Sequence, residues 1–89
     1  MAGRGFRMTQ FVRSPRQLGV LIHNARVRRN LTQQGLADLV GTGQKTVSRL
    51  ETGHPGTKLD TVFRILAALE LDLIPSPRRK ASPDLGAIF

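Results

Sequence analysis

The 89-residue sequence predicts a small all-α domain of four helices, with a helix-turn-helix at its centre and a short C-terminal β-strand that pairs across a homodimer. Three observations lead there. The stretch 31–53, LTQQGLADLVGTGQKTVSRLETG, reads as two short amphipathic helices joined by the glycine-marked turn Gly41-Thr42-Gly43. The segments before and after it repeat apolar residues at helical spacing. The last helical segment is followed by Leu71-Asp72-Leu73-Ile74, a short alternating run stopped by Pro75.

Taken in chain order, residues 1–13 open as a Gly/Arg-rich segment without periodicity, expected to be flexible. Ser14-Pro15 then starts a helix, since serine caps and proline at the first helical position loses no bond it would have made. This helix is expected over 15–29, with Leu18, Leu21, Ile22 and Ala25 as its apolar stripe. Arg16, Arg26, Arg28 and Arg29 load its polar side and its C-terminal end, where cations suit the helix dipole, and Asn30 takes the left-handed closing position. Thr32 caps the next helix, over 33–40, with Leu36, Ala37 and Val40 inside. The three-residue turn tolerates positive φ and leads into a second helix held by Val47 and Leu50 and stopped by Gly53. The residues His54-Pro55-Gly56-Thr57 form a loop. The fourth helix is expected over 59–70, its apolar face built from Leu59, Val62, Phe63, Leu66 and Leu69 and widened by Ile65 and Ala67. A lone four-residue strand cannot satisfy its own backbone, so Leu71, Leu73 and Ile74 are assigned to pairing with a second copy around a two-fold axis. Such a dimer sets two recognition helices about 34 Å apart, one turn of DNA. The domain thus covers 14–75, and 76–89 is expected to be a mobile tail. Its apolar end, Leu85, Ile88 and Phe89, either folds onto a partner protein or is a frayed terminus.

Composition narrows the chemistry. A chain this short buries only about 60 to 65 percent of its unfolded surface, a margin at which small domains often dimerise. The absence of cysteine excludes disulfides, thiolate metal sites and thiol catalysis. No run of 18 apolar residues is present, and MAGRGFRMTQ lacks the apolar core of a signal peptide; a cytoplasmic, nucleoid-associated protein without membrane contact is expected. The net charge of +8 points to a polyanion, and the segments outside residues 14–76 carry +5 of it. Gly41 to Thr46 faintly resembles a phosphate-binding loop, but Gln44 separates Gly43 from Lys45 and breaks the required order. His23 and His54 stand without a ligand cluster, and the six carboxylates form no acid/base pair with a nucleophile. No enzyme activity, metal or cofactor is expected.

The second helix of the pair therefore carries the chemistry. Gln44, Lys45, Ser48 and Arg49 lie opposite Val47 and Leu50 and are the expected base readers, Gln being suited to adenine and Arg or Lys to guanine. No acid interrupts the sequence between Asp38 and Glu51. Gln33, Thr42, Thr46, Arg26, Arg29 and Lys58 are expected to hold phosphates of double-stranded DNA, fixing register without reading sequence. Glu51 is out of place on an element facing DNA, and a structural salt bridge to Arg26 is the economical explanation.

The residues Leu18, Ile22 and Arg26, then Leu31-Thr32-Gln33, Leu36-Ala37, Gly41, Gln44, Val47-Ser48, Leu50-Glu51 and Gly53, resemble the Cro/C1-type (XRE) helix-turn-helix family over more than half of the chain. The resemblance implies an Arg26–Glu51 bridge and DNA contacts by Gln33 and Gln44. Ser14-Pro15 with Leu18, and TVFRILAALELDLI over 61–74, are similar to HipB-type antitoxins. That narrower resemblance implies a dimer with a paired C-terminal strand, binding of a HipA-type Ser/Thr kinase toxin, repression of the operon that encodes both, and a tail whose Ile88-Phe89 end serves partner contacts or turnover. The basic 1–7 extension, Gly43 in a position where a side chain often touches DNA, and Lys45 and Arg49 depart from the pattern and imply a different operator. A stand-alone phage-type or restriction-controller regulator is the alternative.

Overall fold

The computed structural model describes residues 11–78; residues 1–10 and 79–89, which include Leu85, Ile88, Phe89 and the whole basic 1–7 extension, lie outside them. Four helices follow in order: α1 Pro15–Arg28, α2 Gln33–Val40, α3 Gln44–Glu51 and α4 Leu59–Ala68.

Each boundary has a local cause. Ser14 sits in extended backbone and its Oγ accepts the Gln17 amide at 3.1 Å, with Pro15 at the first helical position. Thr32 Oγ1 accepts the Gly35 amide at 2.9 Å and starts α2 in the same way. Three of the four helices stop by one device, in which the residue after the cap turns left-handed and two amides reach back to the last free carbonyls. At α1 the left-handed residue is Asn30 (φ 58°), and Leu31 N–H donates to Arg26 C=O at 3.2 Å. At α3 it is Gly53 (φ 88°), and at α4 it is Glu70 (φ 57°), with Leu71 N–H on Leu66 C=O at 2.8 Å. These closures end α1 at Arg28 and α4 at Ala68, short of the 29 and 70 expected from periodicity, because Arg29 and Leu69 become caps. Gly53 is required twice over: its φ is left-handed, and a β-carbon there would lie 2.9 Å from Arg16 Cα.

In the α2–α3 turn only Gly41 adopts positive φ (77°), whereas Gly43 is extended at φ −90° with open space where a side chain would stand. The expectation that the turn glycines serve positive φ therefore holds for Gly41 alone.

The core is one cluster in which Ile22 and Ala25 of α1, Leu36, Ala37 and Val40 of α2, Val47 and Leu50 of α3, and Val62, Ile65, Leu66 and Leu69 of α4 meet. Helix α3 packs on both α1 and α2, and α4 closes the cluster against α2. On α4 the buried stripe is Thr61, Val62, Ile65, Leu66 and Leu69, which corrects the expected face: Leu59 is 68 % and Phe63 50 % exposed. The helix is apolar over an arc wider than α2 can cover, and periodicity alone does not say which edge of that arc meets the core.

Residues 71–78 have no helical or strand hydrogen-bond pattern of their own chain. Leu71 packs against the core, while Leu73 is 51 % and Ile74 80 % exposed. Together with Phe63 and Ala67 they border an apolar groove outside α4.

Candidate nucleic-acid interface

The three-helix support presents α3 with its apolar side down and its polar side out. Val47, Leu50 and Glu51 are buried, Gln44, Lys45 and Arg49 are exposed, and Ser48 and Thr46 are half-buried at the edge. Gly43 caps α3 without a side chain.

The position of α3 depends on a close approach that the sequence reading did not single out. Gly19 of α1 is buried against the last turn of α3, and a β-carbon there would lie 2.5 Å from Leu50 O and 2.6 Å from Glu51 O. No other residue lets the two backbones meet at this distance, so Gly19 sets the height at which α3 stands above α1.

Beside this contact runs a chain of polar side chains that ties α1, α2 and α3 together. Arg26 is 8 % exposed; its Nε donates to Glu51 Oε2 at 2.6 Å, its Nη2 to Glu51 Oε1 at 3.0 Å, and its Nη1 to Leu31 C=O at 2.7 Å. The fork-to-fork geometry is the strong form of an Arg–carboxylate pair. The Gln33 amide donates to Glu51 Oε1 at 3.0 Å and accepts from Gln44 Nε2 at 2.6 Å. His23 Nδ1 lies 3.1 Å from Glu51 Oε1 and 3.3 Å from Arg26 Nη2. A line of hydrogen bonds thus leads from buried Glu51 through Gln33 to exposed Gln44.

The electrostatics follow from that geometry. Burial pushes the Glu51 carboxyl up, but the hydrogen bonds from Arg26 and Gln33, the contact with His23 and the Arg26 charge outweigh it and hold the group below the usual carboxylate range. The hydrogen bond to Glu51 likewise outweighs burial at Arg26 and raises its already basic guanidinium. Both groups stay charged and bound to each other.

The structure separates the expected phosphate contacts into two sets. Thr42, Thr46, Arg49 and Lys58 come together, with His54, Thr57 and Arg64, around an open basic cleft of about 410 Å³ between α3, the 54–58 loop and α4. Arg64 is held there by Val40 C=O at 2.8 Å and Asp60 at 3.5 Å. Arg26 does not belong with them: its burial and its bonds to Glu51 and Leu31 commit it to the interior, which corrects its assignment to phosphate. Arg29 does not line the cleft either; its Nη2 donates to Glu70 Oε1 at 2.9 Å, at the end of α4. The sequence alone assigns no role to Gly19, His23 or Arg64. His23 reads as an ordinary polar position on α1, and only its helical spacing of three from Arg26 hinted at a shared partner.

Among the described residues no group of three His, Asp or Glu side chains is placed to hold a metal, and no helix is long and apolar enough to cross a membrane.

Two helices joined through a tight turn, the second packed on its apolar side and offering an acid-free polar side, are the architecture of a helix-turn-helix domain. The helix-turn-helix family model matches residues 22–74. Antitoxin HipB of Escherichia coli (strain K12) is 36 % identical over 75 residues, covering 84 % of this chain and 85 % of that protein. A solved structure of a HipB–O4 20mer complex superposes with a TM-score of 0.74 at 34 % identity, over 80 % of this chain and 100 % of that one. The same figures hold for HipB in a HipA–HipB–O2–O3 complex. The chain belongs to the helix-turn-helix family and, within it, to the HipB antitoxins.

Proposed function

We propose that this chain is a homodimeric, sequence-specific DNA-binding antitoxin that binds a HipA-type kinase toxin and represses its own operon. The observation that carries the reading is the acid-free outer face of α3, fixed in place by Gly19 and by the Arg26–Glu51 pair, in a chain that shares its fold, and 34 % identity over the matched 80 % of its length, with HipB proteins solved on DNA and with HipA. On this reading Gln44, Lys45, Ser48 and Arg49 read base edges in the major groove. Thr42, Thr46 and Lys58 hold phosphates from the basic cleft, and Gln33 adds its remaining amide hydrogen. The exposed Leu73 and Ile74 pair with the same segment of a second copy, and Leu59 and Phe63 are covered by it. Residues 14–75 form the DNA-binding and dimerisation domain, and Leu85, Ile88 and Phe89 contact the toxin.

The protein acts by binding alone, without catalysis, on operator DNA in the bacterial cytoplasm. A stand-alone phage-type or restriction-controller regulator has less support, since the Escherichia coli relatives carry the antitoxin name and a HipB chain is solved in complex with HipA. Co-expression with a kinase-like protein encoded next to this chain tests the reading. A stable complex that retards DNA from upstream of the pair is expected; failure to co-purify contradicts the antitoxin role.

A further inference from the structure

Glu51 Oε1 is the crowded atom of the polar chain. Arg26 Nη2 at 3.0 Å, Gln33 Nε2 at 3.0 Å and His23 Nδ1 at 3.1 Å all converge on it, whereas among the described residues Oε2 receives Arg26 Nε alone. A carboxylate oxygen offers two lone pairs, so a third donor on Oε1 competes with the other two. With the imidazole neutral and its proton on Nε2, Nδ1 accepts from Arg26 Nη2 at 3.3 Å, and Oε1 is left with Arg26 and Gln33. With the imidazole protonated, Nδ1–H becomes a charged donor aimed at Oε1. A charged donor binds a carboxylate about twice as strongly as a neutral amide, and Gln33 is the only neutral donor of the three. The groups facing His23 are Arg26 on its own helix and Glu51 on α3; α2 faces the cluster with the uncharged Gln33. The His23 side chain is 51 % exposed, so protons reach it from solvent.

Resting on the proposed reading of α3, we propose that His23 is a positioning residue for DNA recognition: on protonation its Nδ1–H takes Glu51 Oε1 from Gln33, releases the Gln33–Gln44 pair, and makes discrimination between operator and random DNA fall with pH. Histidine is the side chain whose charge changes near neutrality, and Glu51 stays ionised through that range. Total affinity for DNA is the wrong readout, because added positive charge strengthens contact with any duplex. The ratio of affinities isolates the Gln44 contribution.

The test uses the full-length protein, a duplex selected by it from a random library at about pH 8, and a scrambled duplex of equal length, at about pH 8 and about pH 5.5. The wild-type ratio of operator to scrambled affinity is expected to fall roughly fivefold on acidification, the worth of one neutral hydrogen bond. In His23→Gln the ratio is expected to be the same at both pH values, and in Gln44→Ala it is expected to be low at both. A His23→Gln protein whose ratio still falls as in wild type, or a wild-type ratio that does not fall, overturns the role of His23. Full discrimination in Gln44→Ala overturns instead the reading of the α3 face on which that role rests.

Discussion

Glu51 is a negative charge buried beneath a face built for a polyanion, and the Arg26 fork is what makes that tolerable. Removing one partner of a buried pair strands the other, so Arg26→Ala is expected to cost about 3 to 5 kcal/mol, read as a lowered denaturant midpoint. A loss within a few tenths of a kilocalorie would show that Glu51 finds water instead. The same pair sets the acid response. A carboxylate held below its unfolded pKa stabilises the fold above about pH 4.3, and this contribution drains away as pH falls through the lower folded value. The melting temperature of the wild type is therefore expected to drop on acidification below that range, and Glu51→Gln to melt lower at neutrality with a shallower acid slope. Parallel acid profiles for the two proteins would contradict the assignment. An acid alone on a basic element signals that it needs a partner, and the sequence shows this much. That His23 shares its oxygen is not visible there, because an exposed histidine on a helix looks the same with or without a carboxylate folded next to it.

At the scale of elements, the helix pair was the most legible part of the chain. Thr32, Gly41 and Gly53 act within a few residues of their positions, through caps and left-handed turns that local sequence encodes. Contacts between elements were less legible. Gly19 looks like a weakness in the middle of α1, yet its missing β-carbon is what lets α1 meet the carbonyls of Leu50 and Glu51. Gly19→Ala is expected to push α3 outward at a cost of about 1 to 3 kcal/mol, and to weaken operator binding even where the protein remains folded. Unchanged stability and unchanged binding would show that the two helices meet with room to spare. The end of α4 is less legible for a related reason. Helical spacing continues through Glu70, but the Leu71 amide reaches back to Leu66 and closes the helix two residues sooner.

At the scale of the molecule, the described chain leaves Phe63, Leu73 and Ile74 exposed around one groove, and Leu59 exposed one turn before Phe63 on α4. Periodicity marks Leu59 and Phe63 as apolar but does not say whether an apolar face meets the core of its own chain, a second copy or solvent. The dimer account makes Leu73 central to that groove. Leu73→Asp is expected to give a monomer by light scattering, folded by circular dichroism and weakened on a two-half-site duplex; an unchanged mass would remove the pairing of residues 71–74.

On the proposed function, α3 reads base edges while the cleft beside it holds the DNA backbone. Binding of Arg49→Ala and Lys58→Ala to the selected operator and to scrambled DNA, across a salt series, tests it most directly. Arg49→Ala is expected to lose about 1 to 3 kcal/mol on the operator and little on scrambled DNA, whereas Lys58→Ala weakens both alike and lowers the salt slope by about one per site. Equal losses on both duplexes for both variants would contradict the account.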